Sequence, residues 1–244
     1  MKSLKVVAFD LDDTLLRLSP DFIPQYLQRL DDSLQEVFSL SEPLSRHIMT
    51  SSARMMQKTR DPERLEDFFY RDFEARTGLS RELLEDRFNA FYREEFPKLA
   101  PLAKPVYGVV GMLASLKARG YRVALLTSAL FPRVAIDERL KWAGLEDFPF
   151  DWRSALEVVH ATKPQPGYYL EAAEQLHIAP EHWLMVGNDL VEDIIPAHQA
   201  GMSVFWVHGD VTDEEAQKVP QGTPVGSIDE VLPYILEDDD KYER

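Results

Sequence analysis

The stretch Val6-Val7-Ala8-Phe9-Asp10-Leu11-Asp12-Asp13-Thr14-Leu15 limits the fold of this chain more than any other. Four apolar residues run straight into two carboxylates at alternate positions, then a third acid, a hydroxyl and a leucine. The apolar run reads as a strand buried on both faces of a parallel sheet. In open α/β sheets, ligands bind at the carboxyl ends of such strands. Asp10 therefore stands where chemistry is usually placed, and Asp12 follows two residues later. Two acids this close repel each other unless a cation or a shared proton relieves them. The same residues, taken alone, also describe a strand running into an acidic turn or helix cap.

From about Leu18 to Pro105 the texture changes and helix-period patterns replace β-branched runs. A first apolar stripe runs from Phe22 through Tyr26, Leu30 and Leu34 to Phe38, and Ser41-Glu42-Pro43 breaks it. Leu44, Ile48, Met49, Ser52, Met55 and Met56 form a second stripe, whose methionines are expected in packing. Asp61-Pro62 reads as a helix start, with Asp as N-cap and Pro in the first turn. Gly78 is the expected stop of that third helix. Ser80 opens a fourth, which ends near Pro97. Ala100 to Pro105 reads as a return linker. The spacing thus predicts an all-helical insert over residues 18–104. It sits between a first core segment, residues 1–17, and a second, residues 105–244.

In that second segment, strands alternate with helices. Arg122–Thr127, Trp183–Gly187 and Met202–Val207 read as strands, with a weaker one near Phe150–Arg153. Helices are expected over Val109–Leu116 and Val134–Trp142, closed by Gly120 and Gly144. Pro196 fits a helix only in its first turn. Ser227 to Glu230 has capping-box spacing and opens a terminal helix through Leu236, with Glu237 to Asp240 as a solvated, frayed end. This alternation means a doubly wound parallel sheet, an α/β core carrying an inserted all-α cap.

The chain has 244 residues, 45% of them hydrophobic, which is enough for a sizeable core. Its net charge of −15 argues against a nucleic-acid partner, because phosphate backbones need a basic face. The same charge gives no general attraction to an anionic membrane. There is no cysteine, which excludes disulfides, thiolate metal sites and a cysteine nucleophile. Met1-Lys2-Ser3-Leu4-Lys5 leads directly into the first strand, with no signal-like or span-length apolar run. The expectation is a soluble, cytoplasmic protein.

Four features stand at strand ends or helix starts, in order: Asp10-Leu11-Asp12-Asp13-Thr14, Thr127, Lys163-Pro164, and Gly187-Asn188-Asp189 through Asp193. In this set, and in the position of the helical insert, the chain resembles the haloacid dehalogenase-like (HAD) hydrolases of the C1-capped phosphatase type. The resemblance implies a magnesium-dependent hydrolase of a small phosphorylated metabolite, working through an aspartyl-phosphate. It makes Asp10 the nucleophile and Asp12 the general acid and base. Thr127, Ser128 and Lys163 would bind the phosphoryl group. Asp10, the Asp12 carbonyl and an acid of the fourth motif would hold Mg²⁺. Many members carry glycine at the position of Asp13.

The fourth motif departs from the commonest form, Gly-Asp with a second Asp four or five residues on. Counting from the strand end puts Asn188 in the metal slot. Counting by carboxylate puts Asp189 there, and a hard cation's preference for carboxylate favours Asp189. Asn188 remains a ligand or phosphate contact in the other register. Asp193 is expected behind these groups, holding Lys163 or a metal-bound water. His160 is close enough in sequence to reach the cleft. A phosphomutase shares all four motifs, and a non-catalytic metal-dependent binding protein is the remaining alternative. The sequence is silent on oligomeric state and on which metabolite is bound.

Overall fold

The computed structural model describes residues 3–38, 40 and 42–242. Met1, Lys2 and Ser41, named above, lie outside them. Strand β1 (Val6–Phe9) is completely buried, as its apolar run requires. It pairs in parallel with β4 (Arg122–Leu125) on one side and β6 (Trp183–Gly187) on the other. With β5 (Trp152–Arg153), β7 (Ser203–Val207) and β8 (Val225–Gly226), the order is β5-β4-β1-β6-β7-β8, all parallel. A central, doubly covered β1 places Asp10 at the middle of the sheet's carboxyl edge.

Because side chains alternate along a strand, β1 divides itself between two cores. Val7 and Phe9 join Leu113, Leu116, Ile136, Leu140, Val231 and Ile235. These come from α5 (Val109–Ala118), α6 (Arg133–Trp142) and α10 (Val231–Tyr242). Val6 and Ala8 face the other way, toward α7 (Pro166–Leu176) and α8 (Ile195–Gln199). That second core runs on into the helical insert.

The insert comprises α1 (Phe22–Phe38), α2 (Leu44–Gln57), α3 (Leu65–Thr77) and α4 (Arg81–Glu94), as the stripes predict, except that Met49 of the second stripe turns to solvent while Ser51 turns inward. Gly78 closes α3 in the left-handed region, at φ 72°. Both passages between insert and sheet are held by a short antiparallel pair that the sequence reading missed, β2 (Leu16–Leu18) with β3 (Ala103–Pro105). Phe96 anchors the 3₁₀ turn before β3, stacked on Trp142 of α6 with ring centroids 5.4 Å apart and edge-on to Phe22.

Three expectations need correction. Helix α3 starts at Leu65, not at Pro62. The Asp61 carboxylate is taken by Lys58 Nζ and the Glu63 N–H instead of a helix end. The N–H groups of Leu65 and Glu66, which a helix start leaves over, go to the carbonyls of Val159 and Leu156 in the core. Strand β4 stops at Leu125, so Thr127 lies two residues past it. The terminal helix does not fray after Leu236 but continues to Tyr242, since no Gly or Pro follows Pro233 to stop it. Its entrance is the expected capping box of Ser227 and Glu230.

Candidate active site

Asp10 leaves β1 with its N–H donated to the Val186 carbonyl of β6, at 2.9 Å. Its side chain is 8% exposed. Lys163 Nζ lies 2.6 Å from Asp10 Oδ1 and 2.6 Å from Asp193 Oδ1, and both Lys163 and Asp193 are 1% exposed. Burial opposes the Lys163 ammonium, but the Asp10 and Asp193 carboxylates overcome it and hold its pKa well above the ordinary value. Burial raises the Asp193 carboxyl, with the Lys163 charge pulling the other way.

Local structure explains how each arm arrives. Lys163 stands just before α7, on a cis peptide bond to Pro164. The preceding Thr162 accepts the Ala129 N–H through its hydroxyl, at 2.9 Å, which ties this loop to the one that follows β4. Asp193 is folded back by a π-helical turn, Leu190–Ile194, so that its carboxylate accepts the Asp189 N–H. That return passes over Gly187. A Cβ there would lie 2.3 Å from Asp193 Oδ2, so only glycine permits the approach.

Asp12 lies beyond Leu11 in the loop. Its Oδ2 accepts from Arg139 Nη1, while Oδ1 is buried without a hydrogen-bond partner. Burial lifts the Asp12 carboxyl to about 6, against the pull of Arg139 and with a push from Asp10. Asp13 occupies the left-handed region at φ 60°, which explains why glycine suits this position, and its carboxylate accepts the Leu18 N–H. Thr14 Oγ1 donates to Asn188 Oδ1 at 3.1 Å, linking the first loop to the end of β6.

Thr127 is fixed through its backbone. Its N–H donates to Ser154 Oγ, and its carbonyl accepts from Ser154 Oγ and Tyr168 Oη. None of these bonds uses the Thr127 hydroxyl. Ser128 is differently engaged, its hydroxyl donating to Glu192 Oε2 at 2.7 Å. Asp189 Oδ1 accepts the N–H groups of Val191 and Glu192, so this carboxylate caps its own turn. His160 is held by Glu171, with Nδ1 2.6 Å from Oε1.

The fold thus gathers Asp10 and Asp12, Lys163 and Asp193 from three separate segments. Sequence reading missed Arg139, a buried cation within the apolar register of α6. It also missed Gly187 as a spatial requirement of Asp193. The signal for Gly187 was present, in a glycine at a strand end six residues before an acid.

The model of the haloacid dehalogenase-like hydrolases matches residues 4–201. A glyceraldehyde 3-phosphate phosphatase of Methanothermobacter thermautotrophicus is 31% identical over 131 residues, 53% of this chain and 57% of that one. That match spans little more than half of the relative. A phosphoglycolate phosphatase of Thiobacillus denitrificans is 27% identical over 205 residues, 84% of this chain and 83% of the other. Among solved structures, a HAD phosphatase from Thermococcus onnurineus shares the fold at a TM-score of 0.59 and 22% identity, covering 95% of this chain and 98% of its own. No helix among the described residues is long and apolar enough to cross a membrane. With its motifs in order on this sheet, the chain belongs to the haloacid dehalogenase-like hydrolases.

Proposed function

We propose that the protein hydrolyses a small phosphomonoester through an aspartyl-phosphate on Asp10. The observation that carries this reading is the buried Asp10–Lys163–Asp193 cluster at the carboxyl edge of the sheet. An ion cluster out of water is costly to assemble, and such perturbed groups concentrate at functional sites. The names of the two phosphatase relatives support a small phosphorylated metabolite as substrate.

In this reading an Asp10 carboxylate oxygen attacks phosphorus, and the ester oxygen leaves with a proton from Asp12. Water then attacks the acyl phosphate, giving its proton to Asp12 and releasing phosphate and Asp10. Splitting one slow displacement into two is what a carboxylate nucleophile contributes. Proton transfer by Asp12 is worth about 10²–10⁴-fold. Lys163 holds the nucleophile and supplies positive charge where phosphoryl oxygens gather. Thr127, with its hydroxyl outside the backbone bonds that fix it, donates to a phosphoryl oxygen. The insert, residues 18–104, acts as the cap that shelters the cleft and reads the leaving group.

The donors fit Mg²⁺. Among the described residues, no three His, Cys, Asp or Glu side chains gather as a metal cage. Mg²⁺ needs no such cage, because one or two carboxylates, waters and substrate phosphate complete its shell. Asp10 and the Asp12 carbonyl are the constant donors. Asn188, which Thr14 ties to the loop that carries Asp10 and Asp12, is the third donor in this reading, whereas Asp189 turns Oδ1 to its own turn. Bound there, Mg²⁺ supplies the charge that offsets repulsion between carboxylate and phosphate.

The test is release of inorganic phosphate from p-nitrophenyl phosphate and from a panel of sugar and carboxylic-acid phosphates, with Mg²⁺. Phosphate release abolished in Asp10→Asn is the expected result. Undiminished turnover in that variant overturns the proposal, and phosphate transferred within a sugar phosphate without release identifies a mutase instead.

A further inference from the structure

We infer that Arg139 is a positioning residue for Asp12. The inference rests on the phosphatase reading and deepens it. Arg139 is 1% exposed, in a helix whose other inward positions, Ala135, Ile136 and Leu140, are apolar. Arginine is almost never buried to this degree unless it is paired. Its pairing here is incomplete. Nη1 donates to Asp12 Oδ2, Nε makes a long 3.4 Å contact to the Ala135 carbonyl, and Nη2 is buried without a partner.

A cation left in that state is a poor device for stability, and an apolar side chain of similar volume serves a core as well or better. What the guanidinium does provide is direction. Its planar fork fixes a carboxylate more tightly than a lysine's point charge. The guanidinium is itself seated, with its carbon 4.5 Å from the centre of the Phe131 ring. Phe131 is packed in turn by Tyr26 of the insert, centroids 5.3 Å apart, and by Phe96 at 6.2 Å. The chain of contacts therefore runs from the insert, through one ring and one cation, to one carboxylate oxygen. Asp12 sits past the end of β1, where an isolated bridge to Leu16 holds its backbone and Arg139 holds its carboxylate. Arg139 thus fixes the Asp12 carboxylate through Oδ2, and Oδ1 has no hydrogen-bond partner of its own.

The experiment compares two esters of similar shape. The nitrophenolate leaving group of p-nitrophenyl phosphate needs little protonation. That of phenyl phosphate is as basic as a tyrosinate, with pKa about 10. In Arg139→Met, kcat/KM on phenyl phosphate should fall about tenfold or more, and on p-nitrophenyl phosphate less than about threefold. Arg139→Lys should recover part of the loss, since charge returns without the fork. Arg139→Met added to Asp12→Asn should cost no more on phenyl phosphate than Asp12→Asn alone. Equal losses on both esters in Arg139→Met and Arg139→Lys, or no loss on either, overturn the inference while leaving the phosphatase reading intact. A wild-type protein that releases phosphate from neither ester nor from any compound of the panel overturns both.

Discussion

Lys163 and Asp10 stand 153 positions apart in the chain, yet Nζ and Oδ1 meet at 2.6 Å in a site closed to solvent. Asp193 shares the same ammonium. Removing the cation leaves two carboxylates facing one another without water. Lys163→Met should therefore cost about 3–5 kcal/mol of stability at neutral pH, measured by urea denaturation. The deficit should shrink at acid pH, where one carboxyl takes a proton. Adding Asp193→Leu should restore part of it.

Gly187→Ala tests the same cluster from below. The new Cβ needs the space of Asp193 Oδ2, 2.3 Å away. Overpacking of this kind costs about 1–3 kcal/mol. Because Asp193 must move off Lys163, phosphatase activity should drop with it. Thermal unfolding and kcat/KM on p-nitrophenyl phosphate check the two effects, and unchanged values in both would show that Asp193 has room to yield.

Much of this arrangement was legible from β1 outward. A fully apolar run ending in Asp10, an insert with helical period and Lys163 before Pro164 all carry one-dimensional signals. Arg139 carries none, because a lone arginine among helix residues reads as a solvated face. Nor could counting settle Asn188 against Asp189. The π-helical turn at Leu190–Ile194 inserts an extra residue before Asp193, and spacing alone does not reveal a turn of that width. Strands β2, β3 and β8 were too short to show a period.

The fourth motif gives a prediction that separates the two registers. Asn188→Ala should raise the Mg²⁺ concentration for half-maximal activity by at least about tenfold. Asp189→Asn keeps a good N-cap for the turn, so stability should change by less than about 0.5 kcal/mol. Its Mg²⁺ dependence should stay near wild type. Magnesium titrations of both variants decide the matter, and the opposite ranking returns the ligand role to Asp189.

Asp12 makes stability depend on pH in the metal-free protein. Its carboxyl is raised to about 6 by burial, against Arg139, whereas an unfolded aspartate titrates at about 3.9. A carboxyl held up in the fold lends stability that is complete below the unfolded value and is lost as pH rises through about 6. In EDTA, wild type should therefore weaken relative to Asp12→Asn between about pH 4 and about pH 7. The ceiling is about 3 kcal/mol, from about 1.4 kcal/mol per pKa unit. Solvent screening lowers it, because the Asp12 side chain is 32% exposed. A difference that stays flat across this range contradicts the assignment.

The N–H groups of Leu65 and Glu66, spent on the carbonyls of Val159 and Leu156, bear on how the molecule can be taken apart. They sew the middle of the insert to the segment leading into Lys163, as do Lys58 on the His160 carbonyl and Gln165 on the Met56 carbonyl, besides the two strands where the chain crosses. Excising residues 18–104 and rejoining the ends would strip the Val159, Leu156 and His160 carbonyls of these donors and bare Trp142. The part that holds the chemistry is completed, in hydrogen bonds and in packing, by its neighbour.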